Sequence, residues 1–144
     1  MDYLTYISFT VPGVPKGKAR PKFRRTGNFV QTYTPKETVE REQFILGCYN
    51  KEAKGMSFEG KTPLKVEIKA FYAIPVNTSK IQTKLMLSDE ILPVVKPDID
   101  NVAKIVLDAL NKNAFPDDNQ VAELAMEKHY STNPRMEIVI KQLR

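Results

Sequence analysis

The sequence predicts an α+β domain with a small mixed sheet and two main helices, in the order β-α-β-α-β-β. Residues 4–11 and 63–74 alternate apolar and polar side chains with the period of two that is typical of strands. Two further extended segments are expected at about 120–130 and 136–143. Two other segments have the apolar spacing and the end signals of helices. At 144 residues, and with no linker or internal repeat, the chain is expected to form one domain, residues 1–144.

The strands are predicted from the residues that would share a buried face. In the first strand these are Ile7, Phe9 and Val11, and in the last strand they include Ile138 and Ile140. The second strand has five inward-facing residues at alternate positions, namely Leu64, Val66, Ile68, Ala70 and Tyr72. Each of these strands is therefore expected to bury one face against helices.

The first helix is predicted from its capping residues. Thr34 is expected to cap it, Pro35 to occupy the first helical position, and Glu37 to complete a capping box. The helix is expected to continue to about Ala53, because Gly55 is a typical helix stop.

The second helix is predicted from Asp100, with Asp100 or Asn101 as its cap. On a helical wheel its apolar residues share one arc, namely Val102, Ile105, Val106, Ala109 and Leu110. Residues 76–92 form an insertion before this helix, with a short helix expected near 79–87. Residues 116–119 after the helix have the composition of a turn.

The net charge of +5 comes from one segment, because residues 13–36 contain seven cations and no acidic residue while the rest of the chain sums to −2. Cations at alternate positions in an extended chain project to the same side, where they could follow a phosphate backbone. Interleaved aromatic residues are available for packing or base contact. The predicted DNA-binding residues are Lys16, Lys18, Arg20, Lys22, Arg24 and Arg25. The alternative is a solvated loop that contributes only to solubility.

A cluster of five aspartates follows in about twenty residues: Asp98, Asp100, Asp108, Asp117 and Asp118. Carboxylates that converge repel one another and need a cation, and oxygen-only ligands suit Mg²⁺. Three such carboxylates could hold one or two ions, which would polarise a phosphodiester and lower the pKa of a bound water. The cluster therefore predicts metal-assisted chemistry on nucleic acid.

The structural alternative is that these aspartates only cap helices and form turns. Under that interpretation Lys104 forms an i,i+4 ion pair with Asp100 or Asp108. The functional hypothesis for Lys104 is contact with the scissile phosphate or tuning of the carboxylates. Asp108 is expected to be a partner of Lys104 rather than a metal ligand.

Residues 97–110, with the pattern Pro-Asp-Ile-Asp-Asn-Val-x-Lys-x-x-x-Asp-Ala-Leu, and Asp-Asp-x-Gln-Val at 117–121 resemble the signature of RusA-type Holliday junction resolvases. The upstream Gly-x-Pro-x-x-Lys-x-Arg-Pro-Lys at 13–22 and Tyr-Thr-Pro-Lys-Glu at 33–37 resemble the amino-terminal part of one branch of that family. The carboxy-terminal Tyr-Ser-x-x-Pro-Arg-x-Glu-Ile is also similar. The resemblance covers nearly the whole chain.

The resemblance implies a small homodimeric endonuclease that depends on Mg²⁺, with Mn²⁺ as an alternative, and that makes paired nicks in four-way junctions during DNA recombination and repair. It implies that Asp98, Asp100 and Asp118 are catalytic metal ligands and that Lys104 is catalytic, with Asp117 as the alternative third ligand. The spacer before the paired aspartates is one residue shorter than in the family's best-known member, and the insertion at 76–92 is longer.

Other classes of function are not supported by the sequence. No apolar run reaches the length of a membrane helix, and the first twenty residues lack the apolar region of a signal peptide, so a cytoplasmic location is expected. Cys48 and His129 are the only residues of their types, which excludes a disulfide framework and His-rich zinc chemistry. The rival hypothesis is a non-catalytic DNA- or RNA-binding module.

Overall fold

The computed structural model describes residues 2–144, so the first residue of the predicted domain lies outside it. Four strands form a mixed sheet in the order β1-β6-β4-β5, where β1 is Tyr6–Pro12, β4 is Leu64–Ala73, β5 is Val121–Ser131 and β6 is Arg135–Gln142. β6 is antiparallel to both β1 and β4, whereas β5 is parallel to β4. The predicted α+β class with a mixed sheet is confirmed.

Two long helices cover one face of this sheet. Helix α1, Lys36–Ala53, packs on β1 and on α3, and α3, Ile99–Leu110, lies between β4 and β5 in the chain. The predicted inward residues of β1 and β4 are all buried against the helices, as is the predicted apolar arc of α3. The two helices and the four strands therefore share one core.

A two-stranded hairpin adds to the predicted order of elements. Its strands are β2, Lys22–Thr26, and β3, Phe29–Tyr33, and they pair only with each other. Helix α2, Lys80–Leu87, confirms the short helix expected in the insertion. The loop after α2 is tied to β5, because Asp89 Oδ1 lies 2.9 Å from His129 Nδ1.

The predicted helix caps are wrong in detail. Helix α1 begins at Lys36, so Pro35 rather than Thr34 occupies the N-cap, and no side chain caps the helix there. Pro35 cannot do so because it has no side-chain oxygen. Helix α3 begins one residue before Asp100, with Asp98 at the N-cap. Asp100 and Asn101 therefore lie within its first turn.

The turn predicted at 116–119 contains a short 3₁₀ helix, Asp118–Gln120. Asp117 caps this helix, since its Oδ1 accepts a hydrogen bond from Asn119 N at 3.0 Å. The side chain of Gln120 reaches Glu59 O and Thr62 O, both at 2.9 Å, and fixes this turn beside the start of β4.

Within residues 2–144, no helix is both long and apolar enough to cross a membrane.

Candidate active site

The amino-terminal end of α3 carries two of the predicted metal ligands. Asp98 is at the N-cap and Asp100 is in the first turn, and both are exposed. Among the described residues, neither carboxylate accepts a hydrogen bond or forms an ion pair. Asp98 occupies a capping position without making the capping bond, so both carboxylates remain available to a ligand.

Tyr72, at the end of β4, fixes the backbone that leads into this helix. Its hydroxyl donates a hydrogen bond of 2.5 Å to the carbonyl of Pro97, the residue before Asp98. Burial raises the pKa of Tyr72 to about 12, and the nearby negative charge of Asp98 adds to the rise. The phenol is therefore neutral and acts as a hydrogen-bond donor at ordinary pH.

The segment of residues 14–20 packs directly against the first turn of α3. Lys18 N donates a hydrogen bond of 2.9 Å to Asn101 O. Gly17 allows this close approach, because a Cβ at that position would lie 2.9 Å from Asn101 Cβ and 3.1 Å from Pro97 Cβ. The basic segment is thus held beside the acidic end of α3.

Between the two segments lies a cavity of about 650 Å³. Its lining includes Asp98 and Asn101 from α3, together with four cationic residues, Lys16, Lys18, Arg20 and Lys96. Lys16, Arg20 and Lys96 are exposed and form no ion pair with any described residue. A larger groove of about 930 Å³ between β1 and α1 contains none of the predicted site residues. The smaller cavity is therefore the candidate active site.

Lys18 differs from its neighbours because its ammonium is already engaged. It forms ion pairs with Glu42 of α1 and with Asp108 of α3, and the Lys18–Asp108 distance is 3.2 Å. Burial lowers the pKa of Lys18, but hydrogen bonds and charge attraction from the two carboxylates outweigh burial and raise it above the ordinary value. Lys18 thus joins the basic segment to both long helices.

The expected pairing of Lys104 with an aspartate is wrong. Asp108 pairs with Lys18 instead, and Lys104 forms no ion pair within residues 2–144. Lys104 is exposed, one turn beyond Asp100. No ion pair or hydrogen bond to another described residue therefore explains Lys104 as a structural residue.

Asp118 lies at the opposite end of α3. Its backbone N–H donates a hydrogen bond of 2.9 Å to the side chain of Asn111, the C-cap of that helix. Burial raises the pKa of the Asp118 carboxyl, and a hydrogen bond with the Asp117 side chain and the negative charges of Asp117 and Asp108 raise it further. The carboxylates at this end thus repel one another.

The three predicted metal ligands do not meet within one protomer. The thirteen residue steps from Asp98 to Asn111 correspond to about 20 Å of helix axis. Among residues 2–144, no group of three or more acidic, histidine or cysteine side chains could hold a metal ion. The oxygen ligands suit Mg²⁺ chemically, but their arrangement in a single protomer does not fit a shared ion.

The hairpin presents the remaining predicted DNA-binding residues. Lys22, Arg24 and Arg25 are exposed, and the Arg24 guanidinium lies 4.9 Å from the ring centroid of Tyr33. This hairpin was not predicted, although Gly27-Asn28 between two runs of strand-forming residues is a typical hairpin signal. The ion pairs of Lys18 and the hydroxyl contact of Tyr72 were not predicted either, because they depend on tertiary packing.

Comparison with known proteins defines the class. A family model described as "Endodeoxyribonuclease RusA" matches residues 12–141, which include both ends of α3, the hairpin and the basic segment. The chain therefore belongs to the RusA family of endodeoxyribonucleases, and the resemblance of its sequence motifs is confirmed. It is also similar to "Uncharacterized protein YqaN" of Bacillus subtilis (strain 168), with 30% identity over 139 residues that cover 95% of this chain and 96% of the relative.

Proposed function

We propose that this protein is a structure-selective, Mg²⁺-dependent endodeoxyribonuclease that resolves four-way DNA junctions by paired nicks during recombination and repair. The observation that supports the proposal is the exposure of the Asp98 and Asp100 carboxylates and their lack of hydrogen bonds to described residues. Both carboxylates are exposed at the start of α3, beside a cavity with three exposed cations, and none of these groups bonds to another described residue. Such an arrangement can receive a phosphodiester and a divalent cation together.

The rival hypothesis is a nucleic-acid-binding module whose aspartates are caps and turn residues. Asp117 fits that description, because it caps the 3₁₀ helix. Asp98 does not, because it makes no capping bond, and an acidic side chain in a cavity lined by cations would weaken the binding of a polyanion. A carboxylate at this position favours a catalytic role.

The proposed ligands are Asp98, Asp100 and Asp118, and Lys104 is proposed to be catalytic. Because Asp118 is about 20 Å of helix away from Asp98, a site shared by these residues requires two protomers. A two-fold axis that places two α3 helices antiparallel would bring the start of one helix beside the end of the other. The separation thus supports a homodimer with two shared sites, which matches the symmetry of a four-way junction.

The test is a nicking assay on a synthetic four-way junction with Mg²⁺. Asp100→Asn and Asp118→Asn are each expected to lower the nicking rate by at least about 100-fold, because each removes a proposed ligand. When the two variants are mixed and allowed to exchange protomers, activity is expected to return. The mixed dimer then retains one site with an intact Asp98–Asp100 pair and the partner's intact Asp118.

The control is Glu52→Gln, which neutralises an exposed carboxylate of α1 outside the cavity and should leave nicking unchanged. If the mixture stays inactive although protomers exchange, the site is not shared between two protomers. If wild-type protein binds junctions but cuts none with Mg²⁺ or Mn²⁺, the binding-module hypothesis is correct instead.

A further inference from the structure

The hairpin forms an arm of residues 22–33 that stands apart from the core. Every residue of this arm is exposed. It contains three cations and no acidic residue, so its net charge is +3. A projecting segment with this charge is complementary to a polyanion rather than to an ordinary protein surface.

The strand register assigns the side chains of the arm to two faces. Lys22 pairs with Tyr33, Arg24 with Gln31, and Thr26 with Phe29, and because side chains alternate these six residues share one face. This face, which we call the cationic face, carries two of the three cations. The opposite face carries Phe23, Arg25, Val30 and Thr32.

Phe29 lies at the tip of the cationic face. It follows the two-residue turn Gly27-Asn28, in which Gly27 has a φ of +61° as a tight hairpin turn requires. The ring of Phe29 is 75% exposed and contacts no other aromatic ring of the described chain. Tyr33, at the base of the same face, instead packs against Arg24. The tip of the arm therefore carries one exposed aromatic ring, and Arg24 and Lys22 follow it on the same face toward the base.

Phe23 provides an internal comparison. Its ring is 73% exposed, nearly the same as that of Phe29, but it lies on the opposite face and away from the tip. Exposure alone therefore does not distinguish the two rings. Their positions relative to Lys22 and Arg24 distinguish the two rings. DNA held by these cations through its phosphates would contact the ring of Phe29 and not that of Phe23.

We propose that Phe29 stacks on an unstacked base at the branch point of the DNA, while Lys22 and Arg24 contact the phosphates beside it. This assignment rests on the proposed function, since it takes branched DNA as the ligand. In a linear duplex the base faces are covered by their neighbours, whereas a branch point leaves faces open to an aromatic ring. The arm thus adds a contact that a linear duplex cannot offer.

The test uses four-way junctions that carry 5-iodouracil either at a branch nucleotide or inside an arm, bound in EDTA so that the DNA is not cut. Irradiation joins the iodouracil to an aromatic side chain that stacks on it. Trypsin separates the two candidate rings, because cleavage after Lys22, Arg24, Arg25 and Lys36 leaves Phe23 and Phe29 on different peptides. An adduct at Phe29 is expected for the branch position alone.

Affinity measurements provide the second readout. Phe29→Ala is expected to weaken junction binding by about 5- to 150-fold, the usual range for one lost base–aromatic stack, and to change linear-duplex binding by less than about twofold. Phe29→Trp should retain junction affinity. The matched control Phe23→Ala should change neither affinity and should keep the Phe29 adduct.

An adduct on Phe23, or equal adducts from branch and arm positions, would overturn the assignment. So would a Phe29→Ala variant that binds junctions normally, or one whose only defect is loss of self-association in sedimentation, which would make the ring a dimer contact. Nicking by wild-type protein with Mg²⁺ is measured in parallel. Nicking without a Phe29 adduct overturns this inference alone, whereas failure to bind or cut junctions overturns the proposed function with it.

Discussion

The two ends of α3 carry the same type of side chain and use it differently. At the amino-terminal end, Asp98 and Asp100 are exposed and bond to no described residue. At the other end, Asp108 pairs with Lys18 and Asp117 caps a 3₁₀ helix. Asp108 and Asp117 at one end are thus incorporated into the fold and Asp118 there is the remaining proposed ligand, whereas both aspartates at the other end are available to a ligand.

The difference shows how a structural and a functional aspartate can be separated when their sequence contexts look alike. Asp98 and Asp117 both occupy an N-cap, which is a favoured position for aspartate in any protein. Only Asp117 makes the bond that explains this preference. Asp98 makes no such bond, which leaves its carboxylate available for the proposed catalytic site.

Lys18 connects the two ends and gives the largest expected effect on stability. Its backbone binds Asn101 near the start of α3, while its ammonium binds Asp108 and Glu42. Lys18→Met would leave two partly buried carboxylates without their cation. We expect the free energy of unfolding to fall by about 2 kcal/mol, between the values for exposed and fully buried pairs. Urea unfolding monitored by circular dichroism measures this change.

Lys16→Met is the matched control, since Lys16 is exposed, forms no ion pair within residues 2–144 and lies two residues away. Its effect on stability should stay within about 0.5 kcal/mol. Equal free energies of unfolding for the two variants would show that the Lys18 ion pairs do not stabilise the fold.

The two capping positions provide a direct test of the comparison. Asp117→Ala removes a hydrogen bond to Asn119 N and should lower the free energy of unfolding by about 1 kcal/mol. Asp98→Ala removes no hydrogen bond and should cost less than about 0.5 kcal/mol. Thermal melts of the two variants in EDTA measure the contrast. A cost at Asp98 equal to that at Asp117 would mean that Asp98 is an ordinary cap.

Much of the fold could be predicted because it depends on local patterns. The alternation in residues 63–74 and the helical arc from Val102 to Leu110 correspond directly to the buried faces of β4 and α3. The helix caps were misplaced by one to three residues, since α3 has several oxygen-bearing residues near its start and the N-cap of α1 is Pro35, which has no side-chain oxygen. The hairpin was missed because its charge pattern was taken as a plain extended segment, and the Gly27-Asn28 turn was not used.

The arrangement of the site was harder to predict, because it depends on which distant side chains meet. The sequence places Lys104 four residues from both Asp100 and Asp108, so an ion pair within α3 was the simplest expectation. Lys18, ninety residues from Asp108, takes that carboxylate instead. Likewise, the resemblance implied that Asp98, Asp100 and Asp118 are ligands of one metal site, but Asp98 and Asp118 lie at opposite ends of α3.

The smallest predicted effect concerns the pH dependence of the free energy of unfolding, through Asp118 at the carboxy-terminal end of α3. The pKa of Asp118 is raised in the folded protein, first by burial, then by a hydrogen bond with the Asp117 side chain and by the charges of Asp117 and Asp108. Because its pKa is higher in the folded protein, protonated Asp118 adds to the free energy of unfolding. This contribution is complete below the pKa of the unfolded chain, about 3.9 for aspartate, and is lost as the pH rises through the pKa of the folded protein. At pH 7 the ionised Asp118 therefore opposes folding.

Asp118→Asn mimics the protonated carboxyl and keeps the backbone bond to Asn111. We expect the variant to be more stable than the wild type at pH 7, by no more than about 0.5 kcal/mol, and equal to it near pH 3.5. Urea unfolding at both pH values in EDTA measures the difference. The same substitution is expected to abolish nicking, so greater stability together with lost activity would identify Asp118 as a carboxylate kept at a cost to folding. Lower stability at pH 7 would instead show that Asp118, like Asp117 and Asp108, has a structural role at this end of α3.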